Sequence, residues 1–230
     1  MLVLADKIAK AHKKKGFCGG IIYGSRGIGK SSYVLKVLRD LYMAQGYSED
    51  EAYDMALKTM KFKLQDVLSF VRQHADNEDL AMCLVVDDAG AHLSKFLWWS
   101  QPYEVRFLQA MTDTLRSAVS SMLMTCPSPK SVLKFLRTDY DDYFIRVTAK
   151  DAEWQRMATG YRMFTLPSGK TWVSKKFEDH FSCYLPDDVF QRYDKMRRGY
   201  LKEALIELEK IATNMESYPS LEKEALGVEQ

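Results

Sequence analysis

Gly24-Ser25-Arg26-Gly27-Ile28-Gly29-Lys30-Ser31 lies between the apolar run Gly20-Ile21-Ile22-Tyr23 and a helical pattern that opens at Ser32-Tyr33-Val34-Leu35. A strand that ends in glycines and turns at once into a helix points successive backbone N–H groups, together with the positive end of the helix dipole, at one spot. Such a spot holds a polyphosphate. The residues expected to form it are Gly24, Ser25, Arg26, Gly27, Ile28, Gly29, Lys30, Ser31 and Ser32. In this pattern the lysine, Lys30, reaches the β- and γ-phosphates, and the Ser31 hydroxyl ligates magnesium.

Working outward, Leu2, Ala5, Ile8, Ala9 and His12 recur at helical spacing before Lys13-Lys14-Lys15-Gly16, and Phe17 to Tyr23 reads as the strand that feeds the loop. The helix after the loop, Ser31 to about Gln45, turns Val34, Val37, Leu38, Leu41 and Tyr42 toward a sheet. Ser48-Glu49-Asp50-Glu51 has the serine and glutamate of a capping box, leading into a helix over Ala52 to Met60, and Leu64 to His74 forms another. Leu80-Ala81-Met82-Cys83-Leu84-Val85-Val86 is apolar without alternation, as in a parallel strand covered on both faces, and it ends in Asp87-Asp88. The carboxyl end of a strand is where an open α/β sheet places its chemistry. In phosphate-loop enzymes the first of these carboxylates, here Asp87, holds magnesium, and the second, here Asp88, can polarise a water for attack on the γ-phosphate.

Further along, a helix is expected from Tyr103 to about Val119 and a second buried strand at Ser121 to Thr125. A short helix over Ser131 to Leu136 and a strand at Tyr143 to Val147 follow. Trp98-Trp99 reads either as core sealing or as a contact for a partner. The remainder changes style. Tyr161 to Leu166 and Thr171 to Ser174 form a hairpin around Pro167-Ser168-Gly169-Lys170, and a long helix from Pro186 carries Val189, Tyr193, Met196, Tyr200, Ala204, Leu208 and Ile211 on one face. The expected organisation is an α/β three-layer core over 1–149 with roughly five parallel strands, a hairpin-and-helix extension over 150–214 and a polar tail over 215–230.

The 230 residues are 47% hydrophobic and 28% charged, which argues against disorder, and a net charge of +2 confines any nucleic-acid surface to a local patch. Arg156, Arg162, Lys170, Lys175 and Lys176, with the basic side of the last helix, form one candidate patch. Cys18, Cys83, Cys126 and Cys183 show no metal-ligand spacing and read as small hydrophobes of a reducing compartment. No apolar run reaches membrane-span length and no signal-peptide core precedes the first helix, so a cytoplasmic protein without membrane insertion is expected.

From about residue 17 to 149 the two motifs and the order of elements resemble the additional-strand P-loop ATPases, which include the AAA+ and RecA-like proteins. The resemblance implies ATP and Mg2+ as ligands and hydrolysis as the reaction. It also implies that Thr125, closing its strand, senses the γ-phosphate, and that an arginine finger completes the site of a neighbouring subunit: Arg137 is similar in position, Arg116 is the second candidate. Self-association would follow. The paired aspartates resemble the replication-initiator and helicase-loader branch, and small ATPases of archaeal viruses and plasmids look similar. A hairpin and long helix stand where AAA+ proteins carry a helical lid, which keeps a DNA translocase or packaging motor in play. DNA is the expected partner; a nucleotide-dependent protein-assembly switch and a small-molecule kinase are the other readings. The absence of an Asn-Lys-x-Asp motif disfavours a GTPase.

Overall fold

Leu84-Val85-Val86 and Met122-Leu123-Met124 carry no polar side chain, and such strands are stable only with both faces covered. A computed structural model of the chain, which describes residues 1–89, 109, 115–138, 143–165 and 171–216, places them side by side within a seven-stranded sheet, second and third in the order β2-β3-β4-β1-β5-β6-β7. The strands are β1 (Gly20–Tyr23), β2 (Met60–Lys61), β3 (Leu84–Val86), β4 (Met122–Cys126), β5 (Tyr143–Ala149), β6 (Gln155–Thr165) and β7 (Thr171–Ser182). β2 through β5 run parallel with β1, and β6 and β7 continue the sheet antiparallel. The architecture is the mostly parallel α/β sheet expected from the sequence.

Ile21, Val86 and Met124 share a register row and one face, where they pack with Leu64, Val67 and Val71 of α4 (Leu64–Asp76) and with Phe135 and Leu136 of α5 (Lys134–Thr138). Ile22, Val85 and Leu123 point the other way and are equally buried, so both faces are covered. α2 (Lys30–Met43) buries four of the five apolar residues expected of it, Val34, Val37, Leu38 and Leu41, together with Tyr33 and Leu35. α3 (Glu49–Thr59) begins with the expected capping box: the Glu51 carboxylate accepts from Ser48 N–H at 2.9 Å and the Ser48 hydroxyl accepts from Glu51 N–H at 3.4 Å.

α1 (Val3–Lys13) has no cap of its own. Its first-turn N–H groups, from Val3 and Leu4, donate to the Asp179 carboxylate of β7 at 2.6 and 3.2 Å, and the Tyr33 hydroxyl of α2 donates to the same carboxylate at 2.7 Å. One buried charge thus joins the hairpin to two helices. Burial beside Asp179 raises the Tyr33 phenol well above its ordinary value, which keeps it a donor.

The hairpin is longer than the sequence suggests: β6 pairs with β7 from Gln155 to Thr165, and on its other side Arg156 to Arg162 pair with the whole of β5. The register slips between Gly160 and Tyr161, a bulge that lets the Phe177 ring lie over Gly160. The first strand and β3 are shorter than expected. Of the Leu80 to Cys83 segment only Ala81 bridges a neighbour, Val119.

Met1–Leu185 forms one compact unit and Pro186–Gln230 a second. Within the second, α6 (Asp187–Glu216) buries Val189 and Tyr193 on the expected face, while Phe190, Leu201, Leu205 and Ile206 are exposed. Cys18, Cys83 and Cys126 are buried free thiols and Cys183 is half-buried. Trp98-Trp99, most of the segment from Tyr103 expected as a helix, the Pro167 to Lys170 turn and the tail beyond 216 lie outside the described residues; near the expected end of that helix, Leu115–Ser117 forms a 3-10 turn. Among the described residues no helix is long and apolar enough to cross a membrane.

A Cβ on Gly160 would stand 2.1 Å from the Phe177 ring. Gly160→Ala is therefore expected to lower stability by about 1–3 kcal/mol, read as a reduced urea midpoint, and Phe177→Leu in the same chain should recover part of the loss. Simple additivity of the two changes would show that this contact is not the cause.

Candidate functional site

Gly24 leaves β1 with φ of 154°, and a Cβ there would meet the Val147 carbonyl oxygen of β5 at 2.7 Å. The loop can begin so close to the sheet only because residue 24 is glycine. It then curls through Gly27 and Gly29, both with positive φ, into Lys30 at the start of α2. The Lys30 side chain folds back over the loop, its Nζ donating to the Gly24 and Ser25 carbonyls at 3.0 and 2.9 Å. α2 has neither a side-chain cap nor an acidic residue in its first turn, which suits its N-terminus to an anion. Ser25, Arg26 and Gly27 form the exposed crest of the loop; Ile28, Gly29, Ser31 and Ser32 are half-buried.

Asp87 follows β3 and is fully buried. Ser31 Oγ donates to both its carboxylate oxygens, at 3.0 and 3.1 Å, and Thr125 Oγ1 donates to Oδ1 at 2.6 Å. Thr125 Oγ1 also accepts from the Asp88 N–H at 2.9 Å. The Thr125 hydroxyl, at the end of β4, therefore fixes both aspartates. Asp88 has φ of 52°, a left-handed conformation uncommon outside glycine, so the chain turns sharply between the two carboxyl groups. A serine hydroxyl beside a carboxylate is a set of hard oxygen donors that fits magnesium.

Lys30, Ser31, Asp87, Asp88 and Thr125 are thus brought together at one edge of the sheet. Arg116 is exposed on the Leu115–Ser117 turn and, among the described residues, shares no hydrogen bond with them. Arg137 belongs to α5. One further residue, expected from the sequence only as a member of the basic patch, takes part in the loop. Arg156, at the start of β6, donates from Nε to the Ile28 carbonyl at 3.0 Å and from Nη1 to the Glu153 and Gln155 carbonyls at 2.5 and 2.9 Å. It braces the loop rather than standing free in a basic patch. Next to Thr125, burial pushes the Cys126 thiol up to about 12, with a smaller opposing pull from Lys30.

A strand, glycine loop and helix carrying Lys30 and Ser31, set against a buried aspartate at the carboxyl edge of a parallel sheet, define a P-loop NTPase fold. The chain belongs to the family of the uncharacterized protein B-251 of Sulfolobus spindle-shape virus 1, with which it is 30% identical over 231 residues, covering 96% of this chain and 91% of that protein. It is also 29% identical over 113 residues to the uncharacterized protein ORF286 of Acidianus two-tailed virus, covering 49% of this chain and 37% of the other. No protein-family model matches the chain. Among solved structures it is similar to the N-terminal domain of zonular occludens toxin from Neisseria meningitidis, at 13% identity and a TM-score of 0.41, covering 76% of this chain and 97% of that one. It is similar as well to the KaiC-like protein PH0186 of Pyrococcus horikoshii OT3, at 13% identity and a TM-score of 0.35, covering 69% and 92%.

Thr125→Val keeps the side-chain shape and removes the hydroxyl that joins Asp87 to Asp88. Loss of about 1–3 kcal/mol is expected in equilibrium denaturation, since two buried polar groups lose a partner; an unchanged midpoint would mean that other groups hold the aspartates.

Proposed function

We propose that the chain is a magnesium-dependent ATPase of the additional-strand P-loop class that acts on DNA. The observation that carries the ATPase reading is the Asp87 carboxylate, hydrogen-bonded at once to Ser31 of the loop helix and to Thr125 of β4. It sets a phosphate-binding loop, a carboxylate for magnesium and the neighbouring Asp88 around one point. β4 lies between β1 and β3, which supports the additional-strand assignment. Ser31 and Asp87 would hold magnesium, whose positive charge would offset that of the phosphates. Lys30 would exchange its two loop carbonyls for phosphate oxygens. Asp88 would take hold of the attacking water, its backbone kept in place by Thr125. Arg137 or Arg116 of a neighbouring copy would supply the finger.

The DNA reading rests on the basic groups of β6, β7 and α6, among them Arg162, Lys176, Arg192 and Lys195. Within it, the paired aspartates favour an initiator or loader, and the hairpin in place of a lid favours a translocase or packaging motor. The exposed apolar residues Phe190, Leu201, Leu205 and Ile206 of α6 favour a second reading, a switch whose ligand is a protein.

Lys30→Ala is expected to abolish tight ATP binding in a direct titration, and unaltered affinity would remove the loop from the site. Asp88→Asn should leave ATP affinity nearly intact and lower turnover by orders of magnitude, as for a group that acts in the transition state. DNA should raise turnover at about 50 mM salt and lose most of that effect by about 200 mM. Turnover indifferent to DNA at both concentrations would favour the protein-directed switch.

A further inference from the structure

At the carboxyl end of β5 a cavity of about 540 Å³ opens between the β5–β6 turn and the end of β7, lined by Lys150, Asp151, Trp154, Arg156, His180 and Phe181 among others. Its volume falls within the range of small-molecule sites. Its place in the sheet is informative. β5 is the neighbour of β1, the two run parallel, and Gly24 packs on the carbonyl of Val147 near the end of β5. The phosphate loop and the cavity therefore open on the same edge of the sheet, one strand apart. They also share a wall. Arg156 lines the cavity while its Nε holds the Ile28 carbonyl of the loop, and a Cβ on Gly29 would touch Cys183, one residue beyond the cavity lining, at 3.1 Å.

Trp154 gives the cavity its character. The residue is 45% exposed, yet its backbone is fixed: its carbonyl accepts from Cys183 N–H at 2.9 Å, and the turn around it is closed by Gln155 N–H on the Ala152 carbonyl at 2.9 Å. An indole carried on a fixed backbone beside a cavity offers a flat apolar face, with only its side-chain torsions left to order. Asp151 and Gln155 add polar groups able to meet the edge of a planar heterocycle, and Lys150 adds a cation.

We propose that this cavity is the nucleobase subsite, with Trp154 as its stacking surface, for a nucleotide whose phosphates lie in the Gly24 to Ser31 loop; this rests on the nucleotide reading above. The ligand class is a purine nucleoside triphosphate, the purine being the larger stacking partner. Arg156 links the two halves, since the side chain that walls the base also sets the loop.

Titration calorimetry with magnesium ATP and with magnesium tripolyphosphate separates this inference from the reading beneath it. Wild type should bind both. Trp154→Ala should weaken ATP about ten- to a hundredfold, the range of base–aromatic stacking, and leave tripolyphosphate within about twofold. Trp154→Phe should restore most of the ATP affinity, and Lys30→Ala should weaken both ligands. Wild-type ATP affinity in Trp154→Ala overturns the subsite while leaving the loop assignment standing. Equal weakening of both ligands also overturns it, because Trp154 would then support the loop and not a base. Failure of the wild type to bind either ligand removes the nucleotide reading, and the subsite with it.

Discussion

A carboxylate with no solvent exposure costs several kcal/mol to bury unless its oxygens are paired, and the Asp87 carboxylate is paired by two hydroxyls from two other elements. That constraint fixes much else. Ser31 must open a helix directly behind the glycine loop, Thr125 must close a strand adjacent to β3, and the loop must leave β1 tightly enough for Ser31 to reach across. Gly24, seated on the Val147 carbonyl, provides the tight departure. The parallel order of β3, β4 and β1 brings all three contributors to the same edge.

The strands added beyond β5 are part of the same construction. Arg156 at the start of β6 holds the loop from the outside, and Asp179 near the end of β7 holds α1 and α2. Neither is a lone surface ion pair: Asp179 accepts from three donors in buried or partly buried surroundings, and Arg156 donates to three carbonyls, that of Ile28 partly buried. The sheet therefore supplies both the inner wall of the phosphate loop, from β1, β3 and β4, and its outer brace, from β6. Charged residues of the hairpin that look alike in sequence divide in their roles. Arg156 serves the loop, Arg162 lies over the Tyr143 ring at 5.4 Å, and Lys175 pairs with Glu178 at 2.7 Å.

The loop, the paired aspartates, the capping box at Ser48 and the buried strand ending at Thr125 were legible because each is a local pattern: glycines at a strand end, a serine three residues before a glutamate, an apolar run with a polar stop. What stayed hidden depends on partners far along the chain. Leu80 to Cys83 are as apolar as the strand they precede, but only residues 84–86 find neighbours over their whole length. Met60 and Lys61 form β2 because β3 offers an open edge, not because two residues have a propensity. Arg156 and Ile28 are 128 positions apart, and no spacing rule connects them. Its cluster with other basic residues suggested a surface patch, whereas its Nε and Nη1 groups donate to backbone carbonyls.

The distances along the chain at Asp179 set an order on folding. Val3 and Leu4 obtain their cap from a residue 176 and 175 positions later. Until β7 has been synthesised and has docked, the Val3 and Leu4 N–H groups lack that acceptor, so the first turn of α1 is completed only after most of the chain has been made. Long-range closure of this kind slows folding and commits it late. It also acts as a completeness check, because a chain truncated before Asp179 lacks the group that seats its own first helix.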